Sequence, residues 1–341
     1  MWQGDLFLQQ LYDETAKIRK AERADMKSEE QTNRLKCSLR KSLGQFTPAG
    51  NIAPVRLERV VCDGYIRERV ELSVVSGLSF GAYVLIPEGA SGKLPAVVAV
   101  HGHGYGSRQI CGMKPDGTPD TEGSDIYRHF AVQLVKKGMI VIAPDVIGFG
   151  ERRMQSDLAE NPNAPSSCYR MSTQLLLLGK TLTGLRVAEM LGTVDYFSAR
   201  DDVDPQRIGI VGFSGGSLIA YVSSVLDERI RASVLIGFPN TFKDSIMAVH
   251  HCVCNYTPGI LMKAELPELM GLVAPRPLFL ESGESDPIFP AAGFMQAVRE
   301  LEPIYERHGA TNRLSFDLFP GVHEVSGRKS FDWLHQQLIT Q

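Results

Sequence analysis

Ile208-Gly209-Ile210-Val211-Gly212-Phe213-Ser214-Gly215-Gly216 is the stretch on which the fold turns. Its first four residues read as a buried strand. Residues 218–226 have the apolar spacing of a helix, and between the two lies a G-x-S-x-G run. In that strand-turn-helix context the run is a nucleophile elbow. The turn forces Ser214 into strained backbone geometry, and side chains at the flanking glycines would collide with their surroundings. The hydroxyl is thereby lifted above the sheet edge, at a helix N-terminus whose free N–H groups favour negative charge.

A serine so placed needs a base, and the base needs a group to orient it. After an elbow these follow in the chain as an acid and then a histidine. Residues 277–280 read as a buried strand running into Glu281-Ser282-Gly283-Glu284-Ser285-Asp286-Pro287. Asp286 is the preferred acid, because a Gly283 turn precedes it and Pro287 fixes the chain after it. Glu284 and Glu281 are its competitors. Residues 313–318 read as the next strand, ending in Phe319-Pro320-Gly321-Val322-His323-Glu324, so His323 sits on a loop past a strand end. The other histidines suit the role less: His308 falls at a helix end, His335 inside the last helix, and His250 and His251 precede the acid. The expected catalytic set is Ser214, Asp286 and His323. Residues 97–100 lead into His101-Gly102-His103-Gly104-Tyr105-Gly106, a glycine-rich loop suited to presenting backbone N–H groups to an oxyanion. The expected donors are Gly215 and His103.

Outward from these loops, near-continuous apolar runs at 96–100, 139–143, 207–211, 232–236, 277–280 and 313–318 imply strands covered on both faces. Helical patterns at 126–137, 172–199, 218–226, 291–307 and 331–337 separate them. This alternation predicts a mostly parallel, doubly wound α/β sheet. Residues 55–61, 65–75 and 78–87, broken at Asp63-Gly64 and Ser76-Gly77, predict N-terminal antiparallel strands. Residues 1–50 carry no strand signal. Leu35, Leu39, Leu43 and Phe46 form a helical stripe with Gly44 as a stop, so 1–50 reads as a helical N-terminal extension packed on a catalytic domain at 51–341.

The assembled pieces resemble a known family. His101-Gly102-His103-Gly104, the loop from Asp145 to Glu151, Val203-Asp204-Pro205-Gln206-Arg207-Ile208-Gly209, the elbow at Ser214, Ala274-Pro275-Arg276-Pro277, Asp286 and His323-Glu324 are similar to the dienelactone-hydrolase and acetyl-xylan-esterase-like branch of the α/β-hydrolases. The resemblance spans about residues 80–335. It implies the α/β-hydrolase fold, a Ser214–His323–Asp286 triad and cleavage of a small carboxylic ester through an acyl-enzyme. Relatives also cleave lactones and amides, so the substrate stays open. Many relatives carry Gln where this chain has Gly215, which reads as fine tuning.

Several function classes are disfavoured. With 36 basic and 39 acidic residues the net charge is −3, which gives no field to hold nucleic acid or anionic lipid. Six cysteines in 341 residues are too few for a disulfide scaffold. No apolar run is long enough for a membrane span, and no cationic stretch followed by an apolar core opens the chain, so a cytoplasmic protein is expected. A homo-oligomer is compatible with the sequence. Gly148-Phe149-Gly150-Glu151-Arg152-Arg153 lacks the spacing of a phosphate loop. It reads as a surface turn with an internal Glu151–Arg152 pair, or as one rim of the pocket. His250-His251-Cys252-Val253-Cys254 offers metal-binding residue types but no second pair, and reads as a lid or pocket wall. No metal and no cofactor are expected. Two other classes are carried: a metal-dependent hydrolase using His101-x-His103, whose two side chains would share a strand face, and a catalytically silent relative serving as a binding module.

Overall fold

The computed structural model describes residues 3–340, apart from 24, 25, 27, 51, 52, 123 and 124. Among the described residues nine strands form one sheet: β1 (Val55–Cys62), β2 (Tyr65–Val75), β3 (Leu78–Pro87), β4 (Leu94–Val100), β5 (Ile140–Pro144), β6 (Val203–Phe213), β7 (Ile230–Ile236), β8 (Leu278–Gly283) and β9 (Leu314–Phe319). Their spatial order is β1-β2-β3-β5-β4-β6-β7-β8-β9. The β1-β2-β3 meander pairs antiparallel onto β5, and β5 through β9 run parallel. All the parallel strands therefore end at one edge of the sheet, where an open α/β sheet places its ligand.

The helices are α1 (Gly4–Arg23), α2 (Ser28–Leu43), α3 (Ser107–Ile110), α4 (Phe130–Lys136), α5 (Gln155–Glu160), α6 (Cys168–Leu177), α7 (Leu182–Ser198), α8 (Gly215–Leu226), α9 (Leu266–Met270), α10 (Ala291–Arg307) and α11 (Ser330–Ile339). They divide the interior into two apolar layers. One packs α2, α7, α8, α9 and α10 on one sheet face, and the other packs α4 and α11 on the opposite face. Burying alternate sides of β4 and β6 in different layers explains why those strands are apolar throughout. Val98 and Ile210 face the first layer, Val97 and Val211 the second.

Two expectations change. Residues 172–199 are not one helix: α6 stops, Gly179 adopts φ +68, and α7 restarts with Thr181 Oγ1 accepting from Gly184 N. The apolar spacing runs through the break because both helices face the same layer. The last strand is not covered on both faces either, since β9 closes the sheet as an edge and leaves Phe316 41% exposed.

The stripe on α2 meets the first layer, with Leu35, Leu39 and Leu43 buried. Gly44 ends that helix at φ +80. By contrast α1 exposes Leu6, Phe7, Leu8 and Ile18 and is held by polar contacts, Tyr12 to Glu265 and Arg19 to the Leu261 carbonyl. No described helix is long and apolar enough to cross a membrane.

Candidate active site

Ser214 follows β6 directly and caps α8 at φ 55, ψ −125, one of three non-glycine residues with positive φ among the described residues. This conformation is sterically costly for an L-residue and persists only where the surroundings enforce it. The enforcement is visible. Ser214 N–H donates to the Ile236 carbonyl at 2.8 Å. A Cβ on Gly216 would stand 2.1 Å from the Val100 carbonyl oxygen, and one on Gly212 would stand 2.3 Å from that of Gly216. Gly102, across the cleft floor, could not carry a side chain without meeting the Phe213 carbonyl at 2.8 Å and Ser214 Cβ at 3.0 Å.

The loops after β8 and β9 bring their residues to the same place. Ser214 Oγ lies 3.0 Å from His323 Nε2, and His323 Nδ1 lies 2.7 Å from Asp286 Oδ2. The other Asp286 oxygen accepts the N–H groups of Ile288 and Phe289, both at 2.9 Å, so the carboxylate is fixed from both ends. The imidazole packs against Phe213 and stacks on Phe289, with ring centroids 4.8 and 5.7 Å away. The two loops interlock through Gly283, where a Cβ would strike the Val322 carbonyl at 2.2 Å. Of the competing acids, Glu284 is exposed. Glu281 is buried, its pKa raised by that burial, and its oxygens accept from Ser326 N–H, Gly327 N–H and Ser330 Oγ. It anchors the segment after His323 and does not reach the imidazole.

The loop after β4 forms the floor. His101 is buried, and Val146 N–H donates to its Nε2 at 3.0 Å. That bond requires an unprotonated Nε2, so Nδ1 carries the hydrogen and donates it to the Gly102 carbonyl at 2.8 Å. Burial pushes the His101 pKa down to about 4. Both ring nitrogens are thus engaged, and the His101-x-His103 pair does not converge as metal ligands. The Tyr127 hydroxyl donates to the His103 carbonyl at 2.8 Å. The His103 ring leans on Gly215, whose Cβ would sit 3.6 Å from its Nδ1.

Beneath this floor, Asp145 accepts from Ser107 N–H, Ser107 Oγ and Arg69. Burial alone would raise its pKa, but the Arg69 charge and the Ser107 hydrogen bonds outweigh it and hold the carboxyl below its ordinary value. Glu151 and Arg152 do not pair with each other. Glu151 meets Arg69 and Arg108, and Arg152 forms a two-pronged pair with Glu189 at 2.6 and 2.7 Å. Arg152 is therefore spent in an ion pair, while Arg153 and Gly150 line the outer groove.

A cavity of about 240 Å³ sits over Ser214 and His323, walled by His251, Cys252, Asn255 and Phe289. It opens past His103 into a groove of about 960 Å³ bordered by Tyr105, Arg153 and Tyr169. The 250–255 stretch is a pocket wall, as its place between elbow and acid suggests. Burial lowers the His251 pKa, and its Nε2 has no hydrogen-bond partner among the described residues.

The Cys-x-Cys spacing of Cys252 and Cys254 offers no second pair in the sequence, and the fold brings further groups to it. Cys168, at the start of α6, and the His103 side chain join them, and the four ligating atoms lie within 4.8 Å of one another. Sequence reasoning missed this set because its members come from three distant segments.

An Abhydrolase family model matches residues 14–290, a span that includes Ser214 and Asp286 and stops before His323. The chain belongs to the Abhydrolase family. A Bacillus subtilis (strain 168) protein named "Putative hydrolase YtaP" is 30% identical over 252 residues, covering 72% of this abhydrolase and 77% of the relative. Among solved structures, a "putative acetyl xylan esterase" from Bacteroides fragilis NCTC 9343 superposes with a TM-score of 0.69 at 19% identity, covering 86% of this chain and 77% of the other. A glucuronoyl esterase from Solibacter usitatus gives 0.65 at 14% identity over 90% and 91%. At such identities the likeness concerns the fold, a mostly parallel α/β-hydrolase sheet with helices on both faces.

Proposed function

We propose that this abhydrolase is a serine hydrolase of small carboxylic esters, with Ser214 as nucleophile, His323 as general base and Asp286 as its orienter. One observation carries the reading: the unbroken chain of hydrogen-bond distances from Ser214 Oγ through His323 to a buried, doubly anchored Asp286, with Ser214 held in a strained turn. His323 Nε2 accepts the Ser214 proton as Oγ attacks the ester carbonyl. The N–H groups of Gly215 and His103 receive the developing oxyanion, each such donor being worth about 3 kcal/mol of barrier. Collapse breaks the carbonyl–alkoxy bond, and His323 returns the proton to the departing alcohol. Water then enters by the same route in reverse, regenerating Ser214 and releasing the acid. Asp286 keeps the hydrogen on Nδ1 so that Nε2 stays basic.

The cavity over Ser214 is small, which favours a short acyl group such as acetyl, with the alcohol part lying in the outer groove. The fold neighbours are named for acetyl xylan, glucuronoyl and methyl esters, and ester cleavage is what those names share. A series of p-nitrophenyl esters of increasing chain length, followed by acetylated sugars and lactones, tests the reading. Acetate is expected to be turned over fastest, and a fluorophosphonate probe is expected to label Ser214. Preference for lactones would move the assignment to lactone hydrolysis. Failure to label together with no turnover would make the chain a silent relative.

A further inference from the structure

We propose that His103, Cys168, Cys252 and Cys254 bind a zinc ion that fastens the wall of the cleft to its floor. The donor set is one imidazole and three thiols, a combination found in closed, four-coordinate structural zinc sites. The geometry is close to that of a loaded site. Zn–S bonds of about 2.3 Å and Zn–N bonds of about 2.0–2.1 Å in a tetrahedron place neighbouring ligand atoms about 3.5–3.8 Å apart. His103 Nε2 lies 3.6 Å from Cys254 Sγ and 4.0 Å from Cys168 Sγ. The remaining separations stay within 4.8 Å, so closing the shell needs a contraction of about an ångström at most. All three cysteines are free.

A second observation points the same way. Arg186 is buried beside the cluster, stacked over Phe149, and donates to the Ile147 carbonyl and to Cys168 Sγ at 3.2 Å. No carboxylate pairs with it among the described residues. A buried charge without a counter-charge is expensive. Three thiolates around a divalent cation carry a net charge of −1, and one guanidinium neutralises it. Arg186 thus supplies the outer contact that orients a metal-bound sulfur. The ligands come from the loop after β4, the first residue of α6, and the Val253–Asn255 turn with its preceding residue. A filled site would lock these segments together beside Gly215. With four protein ligands it leaves no open position for substrate, so its work is positioning.

Metal content tests the proposal without reference to hydrolysis. The full-length chain, purified under reducing conditions and washed with a weak chelator, is expected to retain about one zinc per chain by mass spectrometry of the elements. Cobalt(II) exchanged into it is expected to show the strong visible absorption of a tetrahedral thiolate site. Cys168→Ser and Cys252→Ser are each expected to weaken zinc binding by more than the 10–100-fold typical of losing an outer-shell partner. Cys37→Ser, on the exposed face of α2, is expected to keep the full equivalent. If either ligand variant fails to fold, the cobalt spectrum of the wild-type chain decides alone. The proposal is overturned by fully titratable thiols that refuse added zinc. It is overturned equally by full metal retention in both ligand variants, or by a Cys168 disulfide to Cys252 or Cys254 in a chain that binds no zinc after reduction.

Discussion

The two sides of the cleft are built by different means. On one side Ser214, His323 and Asp286 stand at the ends of three parallel strands, and the backbone fixes them. Glycines admit close approach at 212, 216 and 283, carbonyls receive the turn N–H groups, and each side chain inherits its place from its own loop. On the other side the wall at 250–255 rests against α6 and α7, where Thr183 Oγ1 donates to the Cys254 carbonyl at 2.8 Å. Side chains gather at it: one imidazole and three thiols from three segments, with a buried arginine behind them. A site held by backbone tolerates little change but needs no partner. A wall held by side chains depends on whatever satisfies their charge.

Five substitutions separate the two kinds of construction. Ser214→Ala is expected to lower kcat/KM on the preferred ester by about 10⁴-fold or more while leaving the fold intact. Residual turnover near the wild-type rate would take the chemistry away from the strand-end side. Asp286→Asn should cost about 10³–10⁴-fold through loss of the productive tautomer. Glu284→Gln, on an exposed side chain, should stay within about twofold. Equal losses in these two would break the assignment of the acid.

The fourth change addresses the opposite wall. In the zinc-loaded chain Arg186→Leu removes the counter-charge of the bound thiolates and is expected to lower unfolding stability by about 3 kcal/mol, read by urea denaturation. A shift below about 0.5 kcal/mol would show that the wall does not rest on that charge. The last change concerns the joint between the two sides. His101 is neutral in the fold because burial disfavours its charged form, whereas the unfolded chain takes up a proton near pH 6.5. Its contribution is therefore complete above about pH 6.5 and fades as the pH falls toward about 4, by at most ~3 kcal/mol. His101→Gln should remove that part of the acid-induced loss, and an unchanged slope would exclude it.

The same division explains what could be read from the sequence. The strand runs, the glycine turn at Ser214, the Gly283 turn before Asp286 and the Gly-Val before His323 are local signals in a fixed chain order. Each strand end could therefore be found on its own. The break at Gly179 was hidden because apolar spacing continues across it. The exposure of β9 was hidden because an edge strand can be as apolar as an inner one. The partners of Glu151 and Arg152 depended on where Arg69, Arg108 and Glu189 arrive in space. The Cys-x-Cys at 252 and 254 was visible, but nothing local announces that Cys168 and His103 come to meet it.

The close-packed glycines have a practical consequence for anyone who wishes to redirect the enzyme. Side chains at 212, 216 and 283 would be driven into neighbouring carbonyls at 2.3, 2.1 and 2.2 Å. Random libraries spread over those codons would be populated mainly by clones that never reach a soluble state. His250 and Val253 border the groove with exposed or half-exposed side chains. Diversity concentrated there would sample new leaving groups while the inherited machinery stays in place.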